Sequence, residues 1–178
     1  GGDKPIKGLT IEGERNPFLG LRGVRLSLAR PEIFRIQLRA LLRAATEGPL
    51  KIMIPMVSVP AEMQAVRALL AEIATELKSS GTPHGGAALG MMVEVPAAAI
   101  ALDLFATDFV SIGSNDLVQY TLAASRDSDQ VAGLGDATNP AVLRLIEQVV
   151  QVAKARGMAV SLCGDAGGDP QALPMLLG

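Results

Sequence analysis

Aromatic residues and cysteine are scarce in this chain, and long apolar runs are missing. Only 3% of the 178 residues are aromatic, with no tryptophan and one tyrosine, so any core must be built from aliphatic side chains and methionine. The single cysteine, Cys163, excludes an internal disulfide framework and favours a reducing, cytoplasmic setting. Because no apolar run reaches about 18 residues, we expect no membrane insertion.

Charge is sparse and nearly balanced. Charged residues make up 19% of the chain, apolar residues 49%, and the formal net charge is −2, which indicates a globular protein with a hydrophobic core. Without a broad basic surface we expect no nucleic-acid partner, although a few arginines could still bind a small anion. The chain starts with GGDK, which has no apolar core of a signal peptide, and we expect it to be cut from a longer chain within a loop.

Short apolar runs alternate with helical patterns. The runs at 50–57, 88–95, 109–113 and 158–162 predict four buried strands. Helices are predicted at 21–29, 31–45, 60–78, 96–105, 114–124, 140–156 and from Pro170, and residues 125–138 are predicted to form an exposed loop. The alternation indicates an α/β fold with parallel strands joined by right-handed crossovers. Periodicity alone does not separate part of a barrel from an open doubly wound sheet.

Polar residues follow the predicted strands. Glu94 ends the second, Asp116 follows the third and Cys163 follows the fourth. Since the carboxyl ends of parallel strands share one rim, we expect the three side chains to be neighbours. Two carboxylates on one rim fit a hard cation such as Mg²⁺, or they cap a strand end and a helix. Cys163 fits either a packing residue or a proton donor.

Three further residues fit an anion site or an ordinary structural role. Asn115 could hold an anion at a helix start or act as a plain N-cap. Arg22 and Arg126 lie in or beside loops, where each could bind a phosphate or only solvate the surface. The one histidine, His84, falls in the linker before the second strand, at the opposite rim, and is not expected to be catalytic.

Several strings match a known family in order and spacing. They are the starting GGDK, NPFLGLRGVR at 16–25, IPM at 54–56, GMMVEVPA at 90–97, SIGSNDLVQYTLA at 111–123 and the Cys163-Gly164 pair. With them the chain resembles phosphoenolpyruvate–protein phosphotransferases, the enzyme I class of the sugar phosphotransferase system. The resemblance implies that residues 1–178 are an incomplete phosphoenolpyruvate-binding domain, a partial (β/α)8 TIM barrel with about four of its eight strands.

The resemblance also implies roles. Glu94 and Asp116 correspond to Mg²⁺ ligands, Arg22, Asn115 and Arg126 to groups that hold the substrate phosphate, and Cys163 to the acid that protonates the enolate. Such enzymes pass the phosphoryl group of phosphoenolpyruvate to a histidine on a separate domain, leaving pyruvate. That histidine then phosphorylates the carrier protein HPr, and the parent family forms homodimers.

Alternatives and departures accompany this interpretation. A dikinase or phosphoenolpyruvate synthase type of barrel, or a regulatory module that senses phosphoenolpyruvate, would share much of the pattern. The strings GLRGVR and NPAVLRLIEQVV are also similar to those of multiphosphoryl transfer proteins. Asp165 stands where many relatives have glutamate, and residues 126–139 lack an aromatic found in many of them. We expect upstream strands, the final strand and the histidine domain to be missing, so that the chain alone is inactive and self-associates through open edges.

Overall fold

Strands and helices alternate throughout the part of the chain that the structure describes. The computed structural model describes residues 13–177, so the GGDK string lies outside it. The helices are α1 (Val24–Ala29), α2 (Pro31–Ala44), α3 (Pro60–Ser79), α4 (Pro96–Ile100), α5 (Ser114–Leu122), α6 (Pro140–Ala155) and α7 (Leu173–Leu177). The strands are β1 (Leu50–Ile54), β2 (Ala87–Val93), β3 (Phe109–Gly113) and β4 (Ala159–Cys163). Short 3₁₀ turns occupy Leu102–Leu104, Ala132–Leu134 and Asp165–Gly168.

The four strands form one parallel sheet in the order β1-β2-β3-β4. Every crossover moves one strand in the same direction, and the right-handed rule then places the connecting helices on one face. A doubly wound sheet needs a reversal of direction, and none occurs among the strands of residues 13–177. The predicted α/β class with four strands is confirmed, and its sequential order is that of a partial (β/α)8 barrel.

The core lies between the sheet and the helices. Alternate strand residues and one stripe of each long helix meet there, as the two periodicities require. Most of these side chains are aliphatic or methionine, as the scarcity of aromatic residues predicts, but Phe34 and Phe105 also lie in this core. The aliphatic and methionine side chains that are at most 5% exposed include Leu38, Ile52, Met63, Val66, Ile73, Leu77, Leu89, Met91, Val110 and Ile112. The opposite face of the sheet carries the strand residues Met92, Gly113 and Cys163, which line the cleft described below.

Proline marks where four of the helices begin. Pro31, Pro60, Pro96 and Pro140 are the first residues of α2, α3, α4 and α6. At this position the missing N–H costs nothing, because the first helical donors have no partner inside the helix. These prolines explain why the predicted helix starts agree closely with the structure.

Several predicted ends were wrong by a few residues. The first strand ends at Ile54 instead of residue 57, because Pro55 has no N–H for pairing and Met56 adopts a left-handed conformation with φ 59°. The first helix begins at Val24, and β4 extends to Cys163. The helix predicted over 96–105 ends at Ile100.

Within residues 13–177, the helices are all too short or too polar to cross a bilayer.

Candidate functional site

The carboxyl ends of the strands open into one cleft of about 420 Å³. Its lining includes all six residues that the sequence nominates: Arg22, Glu94, Asn115, Asp116, Arg126 and Cys163. They come from four separate stretches of the chain and meet because parallel strands bring their carboxyl ends to one rim. The structure therefore brings the candidates together, and their chemical roles remain predictions.

Glu94 is a buried carboxyl group held by the backbone. It follows β2, is 4% exposed, and its Oε1 accepts a hydrogen bond from the Met56 N–H at 2.6 Å. The left-handed φ of Met56 belongs to the turn that presents this N–H. Burial, and after it the nearby Asp116 carboxylate, raise the pKa of Glu94, while the Met56 bond and Arg22 lower it, and the net result is a pKa of about 7.

Asp116 is paired with Arg22 across the cleft. Asp116 lies in the first turn of α5, and its two oxygens accept hydrogen bonds from Nη1 and Nη2 of Arg22, each at 3.3 Å. Both residues are 8% exposed, so this is a buried, two-pronged ion pair. No side chain caps α5, whose N-cap is Gly113, so neither Asn115 nor Asp116 serves as the helix cap that the sequence left open.

One nitrogen of Arg22 makes no hydrogen bond. Its Nε is buried and has no hydrogen-bond partner among the described residues. Burial alone would lower the pKa of Arg22, but its interactions with Asp116, Tyr120 and Glu94 outweigh that effect and hold the pKa above its usual value. A permanently charged guanidinium that lines a cleft is suited to donate hydrogen bonds to the oxygens of an anion.

Two aromatic residues that the sequence reasoning missed support Arg22. The Tyr120 hydroxyl accepts a hydrogen bond from Arg22 Nη1 at 2.9 Å and donates one to the Phe18 carbonyl. Burial raises the pKa of Tyr120, so its hydroxyl stays protonated and can donate. Phe18 and Tyr120 both lie inside the family motifs, and Tyr120 is the only tyrosine of the chain. The scarcity of aromatic residues could therefore have marked these two as candidates for the site.

Asn115 is held by Asp165 in a reciprocal pair. Asn115 Nδ2 donates to Asp165 Oδ2 at 3.1 Å, and the Asp165 N–H donates to Asn115 Oδ1 at 2.9 Å. The bond orients the amide, which keeps a second N–H donor. Gly164 lies against this pair with φ 94°, and a Cβ there would approach Ser114 Oγ to 2.4 Å and Asn115 Oδ1 to 2.6 Å. Only glycine fits this close approach.

Cys163 is half-buried at the end of β4, with its thiol at the cleft. Its Sγ donates to the Ile112 carbonyl at 3.4 Å and accepts from the Ser111 hydroxyl at 3.5 Å. These bonds fix the sulfur on the sheet face that lines the cleft. The thiol therefore lies at the cleft, where the proton-donor alternative needs it.

Arg126 lies on the far wall, just after α5. Its backbone N–H donates to Gln119 Oε1 at 3.2 Å, and its guanidinium carbon lies 6.0 Å from the centre of the Phe18 ring. A second cavity of about 260 Å³ adjoins the cleft under the 125–137 loop and shares Asn115 and Arg126 with it. Arg126 therefore lines both spaces.

Glu94 and Asp116 supply the carboxylate oxygens that Mg²⁺ takes as ligands, and they would fill part of its coordination shell. Within residues 13–177 no group of three or more His, Cys, Asp or Glu side chains could hold a metal ion alone. Mg²⁺ is commonly held by one or two carboxylates and completes its shell with water and substrate oxygens. Two ionised carboxylates beside the single guanidinium of Arg22 leave a net negative charge, which a divalent cation would balance.

Comparison with known proteins agrees with the motifs. The family model described as "PEP-utilising enzyme, PEP-binding domain" matches residues 1–178. The phosphoenolpyruvate-protein phosphotransferase of Staphylococcus carnosus is 49% identical over 181 residues, covering all of this chain and 32% of the relative. The proteins of the same name from Staphylococcus aureus and Geobacillus stearothermophilus are 48% and 49% identical, over 100% and 99% of this chain and 32% and 31% of theirs. The chain spans about a third of the length of these relatives. It belongs to the family described as the PEP-binding domain of PEP-utilising enzymes.

Proposed function

We propose that this chain is the phosphoenolpyruvate- and Mg²⁺-binding part of a phosphoenolpyruvate–protein phosphotransferase. The observation that carries the proposal is the buried Arg22, which lines the cleft beside a carboxylate pair and has an unsatisfied Nε–H. Phosphoryl transfer depends mainly on neutralising charge and positioning the groups. A cleft with two arginines and two carboxylates has the charges for this.

Each candidate residue has a role in the proposed reaction. Arg22, Arg126 and the Asn115 amide bind the phosphate oxygens, and Glu94 and Asp116 hold Mg²⁺. When bound, the cation neutralises phosphate charge and stabilises the enolate oxygen. The P–O bond of the enol phosphate breaks as a P–N bond forms with a histidine, leaving pyruvate enolate. The Cys163 thiol then gives its proton to the CH₂ carbon, which becomes the methyl group of pyruvate, and the thiolate takes a proton from solvent.

The phosphoryl acceptor must come from outside these residues. The chain has one histidine, His84, in the Thr82–Gly86 linker that precedes β2. That linker is at the amino end of the strand, whereas the cleft is at the carboxyl ends. We therefore propose a histidine on another domain, which then phosphorylates HPr in sugar uptake, and we expect no turnover by the chain alone. A cytoplasmic, homodimeric parent protein is part of the same proposal. The names of the relatives favour a phosphoenolpyruvate–protein phosphotransferase over a dikinase.

Calorimetric titration of phosphoenolpyruvate into the chain, with and without Mg²⁺, tests the proposal. We expect binding that strengthens with Mg²⁺ and is weakened at least tenfold by Arg22→Ala, since a charged pair of hydrogen bonds to phosphate is lost. The matched control is Arg43→Ala, which removes an exposed arginine of α2 and should leave binding unchanged. Binding that ignores both Mg²⁺ and Arg22→Ala would contradict the proposal.

A further inference from the structure

One aromatic ring contacts both arginines of the cleft. The guanidinium carbon of Arg22 lies 5.5 Å from the centre of the Phe18 ring, and that of Arg126 lies 6.0 Å from it. The two arginines are far apart in the sequence, since Arg22 lies just before α1 and Arg126 lies just after α5. Phe18 is the residue that they share.

Phe18 is itself anchored to the protein. Its carbonyl accepts the Tyr120 hydroxyl, which also accepts a hydrogen bond from Arg22. The next two carbonyls, of Leu19 and Gly20, accept hydrogen bonds from Arg25 Nη1 at 2.9 and 3.3 Å. The ring is therefore attached to a segment pinned from two sides, and it is half-buried.

The arrangement addresses a problem that any doubly cationic anion site has. Two guanidinium groups near one point repel each other before the anion arrives, and each long side chain loses rotamer freedom when it is fixed. The face of an aromatic ring carries negative charge density and attracts cations within about 6 Å. A single ring in contact with both groups reduces the repulsion and limits the orientations that Arg126, which is exposed, can adopt.

We propose that Phe18 is a positioning residue that holds Arg22 and Arg126 for one anionic ligand, and that Tyr120 fixes Phe18 and Arg22 relative to each other. The inference rests on the proposed function for the identity of the ligand, and on the ring contacts for the arrangement itself. It adds two residues to the six that the sequence nominates.

Two variants at position 18 separate the ring from its volume. Phe18→Leu keeps an apolar side chain and removes the ring, whereas Phe18→Tyr keeps the ring. We expect Phe18→Leu to weaken binding of phosphoenolpyruvate with Mg²⁺ by roughly threefold to tenfold, and Phe18→Tyr to bind as the unmodified chain does. Phe109→Leu is the matched control, because the Phe109 ring also contacts a cation, Lys51 at 5.2 Å, and Lys51 does not line the cleft.

A second readout needs no ligand. The Nε–Hε NMR signals of Arg22 and Arg126 should shift in ligand-free Phe18→Leu, through loss of the ring's field, and should return in Phe18→Tyr. Unchanged arginine signals, or equal loss of affinity in Phe18→Leu and Phe109→Leu, would overturn the inference. If the signals shift as expected but the unmodified chain binds no phosphoenolpyruvate, the positioning role stands and the proposed function fails.

Discussion

Removing the charge of Glu94 should stabilise the metal-free chain at neutral and alkaline pH. Burial of this carboxyl raises its pKa from the ordinary 4.5 to about 7, so the folded state binds its proton more tightly than the unfolded state does. The stability contributed by this proton is present in full below pH 4.5 and is lost as the pH rises through 7. A difference of 7 − 4.5 = 2.5 in pKa corresponds to about 3 kcal/mol of unfolding free energy.

Glu94→Gln keeps the shape of the side chain and cannot ionise. Its amide oxygen can still accept the Met56 N–H, so the packing around the turn at residues 55–57 is preserved. We expect the variant to be up to about 3 kcal/mol more stable than the unmodified chain near pH 8, and equal to it near pH 4. Subtracting the two curves removes the other titrating groups, which both chains share.

Urea denaturation followed by circular dichroism, between about pH 4 and 8 in EDTA, measures the difference. Glu32→Gln, an exposed carboxyl in the first turn of α2, is the control and should shift stability equally at pH 6 and pH 8. If Mg²⁺ binds at Glu94, adding it near pH 8 should stabilise the unmodified chain and not the Gln variant. A stability curve of the unmodified chain that is flat between pH 4.5 and 7 would refute the reasoning.

Two further substitutions test the contacts around the cleft. Asp116→Asn removes the charge paired with Arg22 and one of its two acceptor oxygens, so in EDTA we expect calorimetry to show binding of inorganic phosphate strengthened by on the order of tenfold. In a separate titration without EDTA, the variant should have lost Mg²⁺ binding. Unchanged or weaker phosphate binding would show that the ion pair does not restrain Arg22. Gly164→Ala should lower the unfolding free energy by about 1–3 kcal/mol through strain and a clash with the start of α5. Gly157→Ala shares the positive φ but meets no atom within 4 Å, so thermal melts in which both variants lose equal stability would exclude the clash.

The fold could be predicted from sequence because local chemistry determines most of it. Apolar runs identified the strands, and prolines at helix starts gave the boundaries. The order of the strands could not be predicted from periodicity alone, since a strand's periodicity does not reveal its neighbour, and it followed only from the barrel that the family resemblance implied. The carboxyl end of β1 was wrong for a local reason, because the apolar run continues through Pro55 into Met56, where the backbone turns.

The sequence predicted which residues line the site, but not which of them contact each other. The rule that parallel strands share a rim, with the family motifs, nominated residues that all line one cleft. The pairing of Arg22 with Asp116 was not predictable, because it depends on how the segment before α1 folds over α5, 94 residues away in sequence. The partner of Glu94 was also missed, since it is the backbone N–H of Met56 and no side-chain pattern encodes it.

The length of the Arg22–Asp116 hydrogen bonds indicates how easily the two side chains can exchange this contact for contacts with ligands. Both hydrogen bonds are 3.3 Å long, whereas charge-assisted N–H···O bonds are usually about 2.7–2.9 Å. A buried ion pair with long bonds recovers only part of the cost of removing its charges from water. The pair therefore keeps Asp116 and Arg22 neutralised without holding them tightly. A divalent cation at the carboxylates and a phosphate at the guanidinium would replace this contact with stronger ones, so each ligand should favour binding of the other.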